Sequence, residues 1–164
     1  MGKRKELEFF PRWAAGRSGY AERVREVFSR YLEGKGLLAT PQRAAILDRL
    51  LAADRHISQE ELYAAVRSRG IGKVTVFRTL KLLQECGVLD KVIDGKGRAR
   101  YEVKSDRPHH DHFVCVRCGG IIEIQWPELE KVQGRIAKKL GVTVLYHKHE
   151  LFGLCGRCGK AKRD

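Results

Sequence analysis

Four of the five cysteines fall in two Cys-x-x-Cys pairs, Cys115/Cys118 and Cys155/Cys158. A glycine follows each pair, and each turn offers two thiolates, the ligands with which zinc fills a tetrahedral structural site. Catalytic redox pairs are the alternative, and the matching glycines argue against them. The spacing therefore predicts a closed, four-cysteine zinc site that leaves no coordination position for catalysis.

Three of the six histidines stand in the run His109-His110-Asp111-His112. If this run is extended, its side chains alternate between two faces. His110 and His112 then point one way, and His109 and Asp111 point the other, so one strand can serve two metal sites. Histidine and carboxylate donors at this density favour metal binding over a chance group of exposed side chains.

A basic helix is predicted over residues 74–86. One stripe of it is apolar, with Val76, Leu80 and Leu83, and the opposite face is polar and cationic. Such a face can enter the major groove of DNA, where Arg and Lys meet phosphates and base edges and an aromatic ring meets a thymine methyl. A solvated surface helix is the alternative, because helix–turn–helix patterns give many false positives. The predicted DNA-facing residues are Lys73, Thr75, Phe77, Arg78 and Lys81.

The 164 residues carry 33 Lys plus Arg against 20 Asp plus Glu, a formal net charge of +13. This surplus favours a polyanionic partner such as nucleic acid, although many basic proteins only solvate their surface in this way. Apolar residues make up 43% and charged residues 32%, which predicts a globular protein. No apolar run approaches the roughly 18 residues that cross a bilayer, and no secretory signal is recognisable. We therefore expect a cytoplasmic protein with no membrane partner, in which paired cysteines bind zinc rather than form disulfides.

Helices are predicted upstream of the basic helix, each with a recognisable start. The first covers residues 20–32, and Ser18 can cap it. The second begins at Thr40-Pro41, because the Thr hydroxyl caps free N–H groups and Pro fits the first helical position. The third begins with a capping box formed by Ser58 and Glu61. Their apolar faces consist of Tyr20, Val24, Val27, Phe28, Tyr31, Leu32, Ile46, Leu47, Leu50, Leu51, Leu62, Tyr63 and Val66.

A β-hairpin is predicted after the basic helix, with strands near residues 88–93 and 98–103. The sequence Asp94-Gly95-Lys96-Gly97 between them is typical of a hairpin turn. Wings of DNA-binding domains commonly lie along the backbone or in the minor groove, and basic residues suit that place. This hairpin carries Lys96, Arg98 and Arg100 at its turn and along its second strand.

These elements divide the chain. Residues 1–17 are interpreted as a loose basic arm, and residues 18–104 as a winged-helix DNA-binding domain, since a helix–turn–helix followed by a hairpin is the layout of a winged helix. Residues 105–108 are interpreted as a hinge, because Pro108 restricts the residue before it. Residues 109–164 are predicted to form a small α/β domain with the four-cysteine zinc site, which makes the whole chain α+β. Within it we expect strands at residues 113–115, 121–124 and 142–151 and a helix at residues 128–140.

A series of short motifs occurs in order over residues 37–158. They are Thr40-Pro-Gln-Arg43, His56-x-Ser-x-Glu60, Val74-Thr-Val-Phe-Arg78, Arg100-Tyr-Glu102, His109-His-Asp-His112, Cys115-x-x-Cys118-Gly, Ile121-Ile-Glu123 and Cys155-x-x-Cys158. Several are weak singly, but their combination and order are highly specific. Together they resemble the ferric uptake regulator family of bacterial metal-responsive repressors.

This resemblance implies an N-terminal winged helix, a C-terminal dimerisation domain and a homodimer. It implies a metal-dependent repressor of metal-uptake genes that binds a double-stranded DNA operator, and no enzymatic activity. Arg43 joins the expected DNA-binding residues through the first motif.

The resemblance also implies two metal sites beside the structural zinc. A regulatory site at the hinge is expected to hold Fe²⁺, with Mn²⁺ or Zn²⁺ as alternatives, because mixed His and carboxylate ligands suit all three. A metal ion with ligands from both the winged-helix domain and the dimerisation domain would favour one arrangement of the winged helices. The ligands implied for the regulatory site are His56, Glu102, His110, His112 and Glu123, and those for the second site, in the dimerisation domain, are His109, Asp111, Glu130 and His147.

Several alternatives stay open. Glu102 and Glu123 stand where the peroxide-sensing branch tends to carry aspartates, and no Cys lies between Glu102 and His109, where the zinc-uptake branch tends to place one; both features favour iron. A metallohydrolase would need an open coordination position and a general base, and a zinc-ribbon module would leave the histidine run unexplained. Phe77 stands where many family members have Tyr. His149 is an extra histidine on the face of His147, either a ligand or merely exposed.

Overall fold

The computed structural model describes residues 19–53, 55–104 and 110–160. The chain divides into two compact units, called here the N-terminal unit and the C-terminal unit. Among the described residues, the N-terminal unit comprises 19–53, 55–92 and 99–104, and the C-terminal unit comprises 93–98 and 110–160. Among the described residues, no helix has both the length and the apolar character needed to span a bilayer.

The N-terminal unit consists of helices and a small sheet, in agreement with the predicted winged-helix layout. Its sheet has the strand order β1-β3-β2, and β1 pairs antiparallel with β3 so that Ile57 lies opposite Tyr101. The elements are α1 (Tyr20–Gly34), α2 (Pro41–Leu51), β1 (Ile57–Ser58), α3 (Gln59–Val66), a 3₁₀ turn (Arg67–Arg69), α4 (Lys73–Glu85), β2 (Leu89–Ile93) and β3 (Ala99–Val103).

The starts of α2 and α3 confirm the predicted caps. The Arg43 N–H donates to Thr40 Oγ1 at 3.3 Å, and Pro41 occupies the first helical position. At α3 the Glu61 N–H donates to Ser58 Oγ at 3.1 Å, while the Ser58 N–H donates to the Glu61 carboxylate at 2.8 Å. Ser18, the predicted cap of α1, lies outside the described residues.

The core of the N-terminal unit joins all four helices to the hairpin. Tyr20, Val27, Tyr31, Leu51 and Tyr63, which share the predicted apolar faces, are only partly buried and pack against this core. Burying one large aliphatic side chain stabilises a fold by about 1.5–3 kcal/mol. The buried side chains of α4 therefore fix this helix against the rest of the N-terminal unit. The buried members of this core are Val24, Phe28, Leu32, Ile46, Leu47, Leu50, Leu62, Val66, Val76, Leu80, Leu83, Val88, Leu89, Tyr101 and Val103, among others.

The C-terminal unit is built on a second three-stranded sheet with the order β5-β4-β6. The central strand β4 is antiparallel to β5, with His112 opposite Glu123, and parallel to β6, with Cys115 opposite Gly153. The elements are β4 (Asp111–Cys115), β5 (Ile121–Ile124), α5 (Pro127–Leu140), β6 (Glu150–Gly153) and α6 (Gly156–Lys160).

The strand predicted over residues 142–151 is wrong for most of its length. Residues 142–149 form no regular element, and β6 begins only at Glu150. Alternating apolar residues form a strand only beside a partner, and no described strand pairs with this segment. As a result Val142, Val144, Leu145 and Tyr146 are exposed by 50–66%.

Helix α5 leaves its apolar residues on the outside of the protomer. Among the described residues of this helix none is buried, although it is amphipathic. We call the exposed apolar side chains of α5 and the segment after it the α5 surface. Its members are Val132, Ile136, Leu140, Val142, Val144 and Leu145.

Candidate metal centres and nucleic-acid face

The four paired cysteines come together in the C-terminal unit. Parallel pairing of β4 with β6 brings the turn after Cys115 beside the turn that begins at Cys155. The four sulfur atoms lie within 4.8 Å of one another, and Cys118 Sγ is 3.9 Å from Cys155 Sγ. Four thiolates bound at 2.3 Å to one tetrahedral zinc would lie about 3.8 Å apart. The residues present therefore fit a structural zinc ion.

Backbone N–H groups prepare these sulfurs to bind a cation. Hydrogen bonds from the backbone at Cys118 and Cys155 lower the pKa of the Cys115 thiol to about 6. The backbone at Cys158 likewise lowers the pKa of Cys155, whereas sharing a proton with Cys155 raises the pKa of Cys158 to about 12. Zinc binds the thiolate form, so binding here would release the protons that these thiols still carry.

The hairpin tip between β2 and β3 packs against the first cysteine turn. A Cβ atom added at Gly95 would lie 2.1 Å from the Cys115 carbonyl oxygen, so only glycine fits there. The buried Asp94 carboxylate fixes the tip by accepting the N–H groups of Lys96 and Arg98 at 2.9 and 3.0 Å. The tip and the cysteine turn are thus packed backbone against backbone within the C-terminal unit.

A second donor cluster lies between β4, α5 and the segment before β6. Donor atoms of Asp111, His147 and His149 lie within 4.8 Å of one another. Glu130 on α5 adds a carboxylate oxygen 2.8 Å from His147 Nε2. The structure thus brings together Asp111, Glu130 and His147 of the second predicted site, while His109 lies outside the described residues. His149, which the sequence left undecided, is part of the cluster.

The residues predicted for the regulatory site form one group in each unit. In the N-terminal unit His56 Nε2 lies 3.1 Å from a Glu102 carboxylate oxygen, and the two side chains are only 10% and 11% exposed. In the C-terminal unit the ring centroids of His110 and His112 are 5.2 Å apart, and His112 pairs across the sheet with Glu123.

A charged network surrounds the capping box next to His56. Glu61 accepts hydrogen bonds from Arg100 at 2.6 Å and from Arg55 at 3.1 Å. The Ser58 N–H, aided by these cations, lowers the Glu61 pKa to about 2. The sequence predicts the capping box but not the two arginines, because Arg100 reaches Glu61 only through the pairing of β3 with β1. This network fixes the start of α3 directly after His56.

Helix α4 presents the cationic face that the sequence predicts. Val76, Thr79, Leu80 and Leu83 are buried, and Thr75 is half-buried. The exposed side chains on the other face are Lys73, Val74, Phe77, Arg78 and Lys81, and the acidic Glu85 is exposed at the end of the helix.

Other basic residues of the predicted DNA face are held by protein groups. The Arg43 guanidinium donates to the Leu38 carbonyl, and the Arg98 guanidinium pairs with Asp94 at 3.0 Å. Arg100 is bound to Glu61. Lys96 at the hairpin tip is exposed. Exposed basic residues therefore lie on both α4 and the hairpin.

Comparison with known proteins links this geometry to regulators. A model of the ferric uptake regulator family matches residues 34–152. The ferric uptake regulation protein of Campylobacter jejuni is 37% identical over 141 residues, which cover 84% of this chain and 89% of that protein.

Two solved structures are similar over most of the chain. The ferric uptake regulator Fur of Helicobacter pylori, described as having three functional metal binding sites, aligns with a TM-score of 0.75 and 27% identity over 91% of this chain and 100% of that one. The Pseudomonas aeruginosa ferric uptake regulator with manganese aligns with a TM-score of 0.67 and 30% identity over 78% of this chain and 97% of that one.

Proposed function

Because the chain belongs to the ferric uptake regulator family, we propose that it is a metal-dependent transcriptional repressor of iron-uptake genes that acts in the cytoplasm. The observation that carries this proposal is the His56–Glu102 pair. Two good metal donors lie 3.1 Å apart and almost buried in the same unit as the cationic face of α4. A sensor needs metal donors in the unit that carries its DNA-reading element, so that ion binding can bias that element.

The proposed regulatory ion takes ligands from both units of the chain. His56 and Glu102 would come from the N-terminal unit, and His110, His112 and Glu123 from the C-terminal unit. An ion that binds both sets favours the arrangement in which they meet, and it shifts the population by its differential affinity for that arrangement. The repressor would bind its operator in this metal-loaded state.

Fe²⁺ is the proposed co-repressor. The donor set combines imidazoles with carboxylates, which suits Fe²⁺ and also Mn²⁺ or Zn²⁺. Because affinity alone favours later metals over Fe²⁺, the metal available in the cell would decide. The manganese in the Pseudomonas aeruginosa structure keeps Mn²⁺ as an alternative.

The proposed DNA contacts come from α4. Lys73, Arg78 and Lys81 are exposed and can neutralise phosphates or reach base edges. The Phe77 ring is 53% exposed, and in a major groove it would contact thymine methyl groups. Thr75 and Arg43 complete the proposed interface.

The proposed repressor is a homodimer that places two α4 helices on a palindromic operator. Support comes from the α5 surface, since exposed apolar side chains on an amphipathic helix commonly mark a protein interface. In the C-terminal unit the cysteine zinc would tie α6 and β6 to β4 and keep this dimerisation domain folded.

Operator binding measured with and without metal tests the proposal. The zinc-loaded protein is first used to select a high-affinity duplex from a random library in the presence of Mn²⁺. Fluorescence anisotropy then follows binding of that duplex with Fe²⁺ under anaerobic conditions, with Mn²⁺, with added Zn²⁺ and with a chelator too weak to remove the cysteine zinc. We expect tight binding with metal and weak binding with chelator. Equal affinity in all conditions would contradict metal-dependent repression.

A further inference from the structure

We propose that His149 is a ligand of the second metal site and adds an imidazole to the donors of Asp111, Glu130 and His147. The bound ion would be a divalent first-row transition metal. This inference rests on the proposed function, because it extends the second of the metal sites in that proposal.

Backbone hydrogen bonds place His149 beside the site. Its N–H donates to a carboxylate oxygen of Asp111 at 3.2 Å, and its carbonyl accepts the His112 N–H at 3.2 Å. Residue 149 is thereby anchored to β4 just before β6 begins. Its position is set by the sheet and not by the flexibility of a surface loop.

The side chain of His149 points to the other donors. Its ring centroid lies 5.1 Å from that of His147, and donor atoms of Asp111, His147 and His149 fall within 4.8 Å of one another. Donors bound at 2.0–2.2 Å to one ion lie roughly 3–4 Å apart. Side-chain adjustments of about an ångström would therefore close this cluster around an ion.

Helix α5 supplies polar partners to both imidazoles. Glu130 lies 2.8 Å from His147 Nε2, and one turn later Gln133 Nε2 lies 2.8 Å from His149 Nε2. A metal-bound imidazole normally donates its second ring N–H to a neighbouring acceptor, which fixes its orientation. With its amide turned to present oxygen, Gln133 would be that acceptor for Nε2 and leave Nδ1 of His149 for the ion.

An added imidazole changes the metal preference of the site. Asp111, Glu130 and His147 alone offer one imidazole and two carboxylates, whereas His149 raises the nitrogen count among these residues to two. Imidazole ligands favour Co²⁺, Ni²⁺ and Zn²⁺ over Mn²⁺ more strongly than carboxylates do. His149 is therefore expected to increase discrimination against Mn²⁺ at this site.

The test titrates Co²⁺ into full-length protein that retains its cysteine zinc and carries His56→Ala to disable the regulatory site. The variants on this background are His149→Gln, His147→Gln and, as the matched control, Lys148→Gln. Visible ligand-field absorption and calorimetry give the Co²⁺ affinity, and X-ray absorption fine structure counts the imidazoles bound to Co²⁺. Zinc content and far-ultraviolet circular dichroism show that each variant has kept its fold.

We expect His149→Gln to weaken Co²⁺ binding by about 10- to 100-fold, to change the ligand-field spectrum and to remove one imidazole from the count. Lys148→Gln should leave all three unchanged. If His147→Gln weakens Co²⁺ binding and His149→Gln does not, the inference about His149 is wrong while the second site of the proposed function stands. If neither variant has an effect, that site itself is absent and the inference falls with it.

If the His149→Gln variant loses its zinc or its fold, the His149→Asn variant replaces it. X-ray absorption fine structure of this variant is then compared with that of the protein that keeps His149. The imidazoles bound to Co²⁺ are counted in the His56→Ala protein and in its His147→Gln and His149→Asn derivatives. Loss of one imidazole in each derivative would support the inference. A count that does not change with residue 149 would overturn it.

Discussion

His56 Nε2 lies 3.1 Å from a carboxylate oxygen of Glu102, and the two side chains are 10% and 11% exposed. His56 directly precedes β1 and Glu102 lies in β3, and these two strands are neighbours, since Ile57 pairs with Tyr101. A metal ion here would replace the direct contact between two ligand side chains that the fold already holds together. Because both side chains are already ordered, metal binding would cost little further side-chain entropy. This favours high affinity for the metal.

Replacing Glu102 by Gln tests this pair as a regulatory ligand set. The change removes the negative charge but keeps the shape, so the N-terminal unit should stay folded while metal affinity falls by at least about tenfold. Anisotropy of operator DNA titrated with Mn²⁺ would show the shift in the metal concentration needed for binding. The matched control is Glu128→Gln, an exposed carboxylate on α5. Equal shifts in both variants would contradict a role for Glu102 as a ligand.

Glu61 should make the stability of the N-terminal unit depend on pH. Its pKa falls from 4.5 to about 2 on folding, chiefly through the Ser58 N–H. A lowered pKa means that the stabilisation is present in full above about pH 4.5 and is lost as the pH falls toward 2. We expect Glu61→Gln to cost about 0.5–1.5 kcal/mol at pH 7 and less at pH 3. Urea unfolding at both pH values, with Glu60→Gln as control, measures the difference, and a cost that does not shrink would argue against this assignment.

The five cysteines should separate into two classes of reactivity. Cys86 is buried, and burial raises its pKa to about 11, so it should stay unreactive until the N-terminal unit unfolds. The other four should be protected by about one zinc per chain and react with a thiol reagent once a strong chelator removes it. Zinc analysis and counts of modified thiols before and after chelation check this. Reaction of all five at the same rate would contradict the four-cysteine site.

Arg78 should contribute a phosphate contact. Replacing it by Ala should weaken binding to every duplex and lower the slope of log affinity against log salt by about 1. Lys160→Ala removes an equal charge from α6 in the other unit and serves as the control. If the two variants have the same salt slope, binding responds to net charge only and α4 is not the reading helix.

The α5 surface should be required for the dimer. Ile136 is 52% exposed in one protomer, and Ile136→Glu would bury a carboxylate between two copies. Such burial costs several kcal/mol, which is more than about 100-fold in the dimer dissociation constant. Sedimentation velocity should therefore find a monomer that retains its zinc, whereas Ile136→Val should remain a dimer. A stable dimer of the Glu variant would place the interface elsewhere.

The parts of the fold that the sequence predicted well depend on local chemistry. Thr40 with Pro41 and Ser58 with Glu61 set helix starts through contacts three residues apart, which a sequence pattern contains in full. The donor clusters were predicted from their His, Cys and carboxylate residues and from the alternation of side chains between the two faces of β4. Their exact membership needed the tertiary structure, because residues 111 and 149 meet where the His149 N–H donates to the Asp111 carboxylate, a contact across 38 residues of chain.

Features that depend on distant partners were missed. The segment 142–149 has the alternation of a strand, but no described strand lies beside it. Arg100 meets Glu61 across 39 residues of chain, so no local pattern predicts the pair. Helix α6 has five residues, two of them glycine, and its helical propensity is too low for a helix to be predicted; it forms within the Cys155–Cys158 turn, since Cys158 is one of its residues.

The close approach of Gly95 to the Cys115 carbonyl constrains the design of chimeric proteins made from this chain. The hairpin tip of residues 93–98 belongs to the C-terminal unit, although all of β3 and all of β2 except Ile93 belong to the N-terminal unit. Inserting or deleting one residue in this hairpin would move a side chain into the place of Gly95 and against the cysteine turn. A chimera that borrows the DNA-reading half from another protein should therefore keep this tip with the cysteines, and exchange only the sequence outside it.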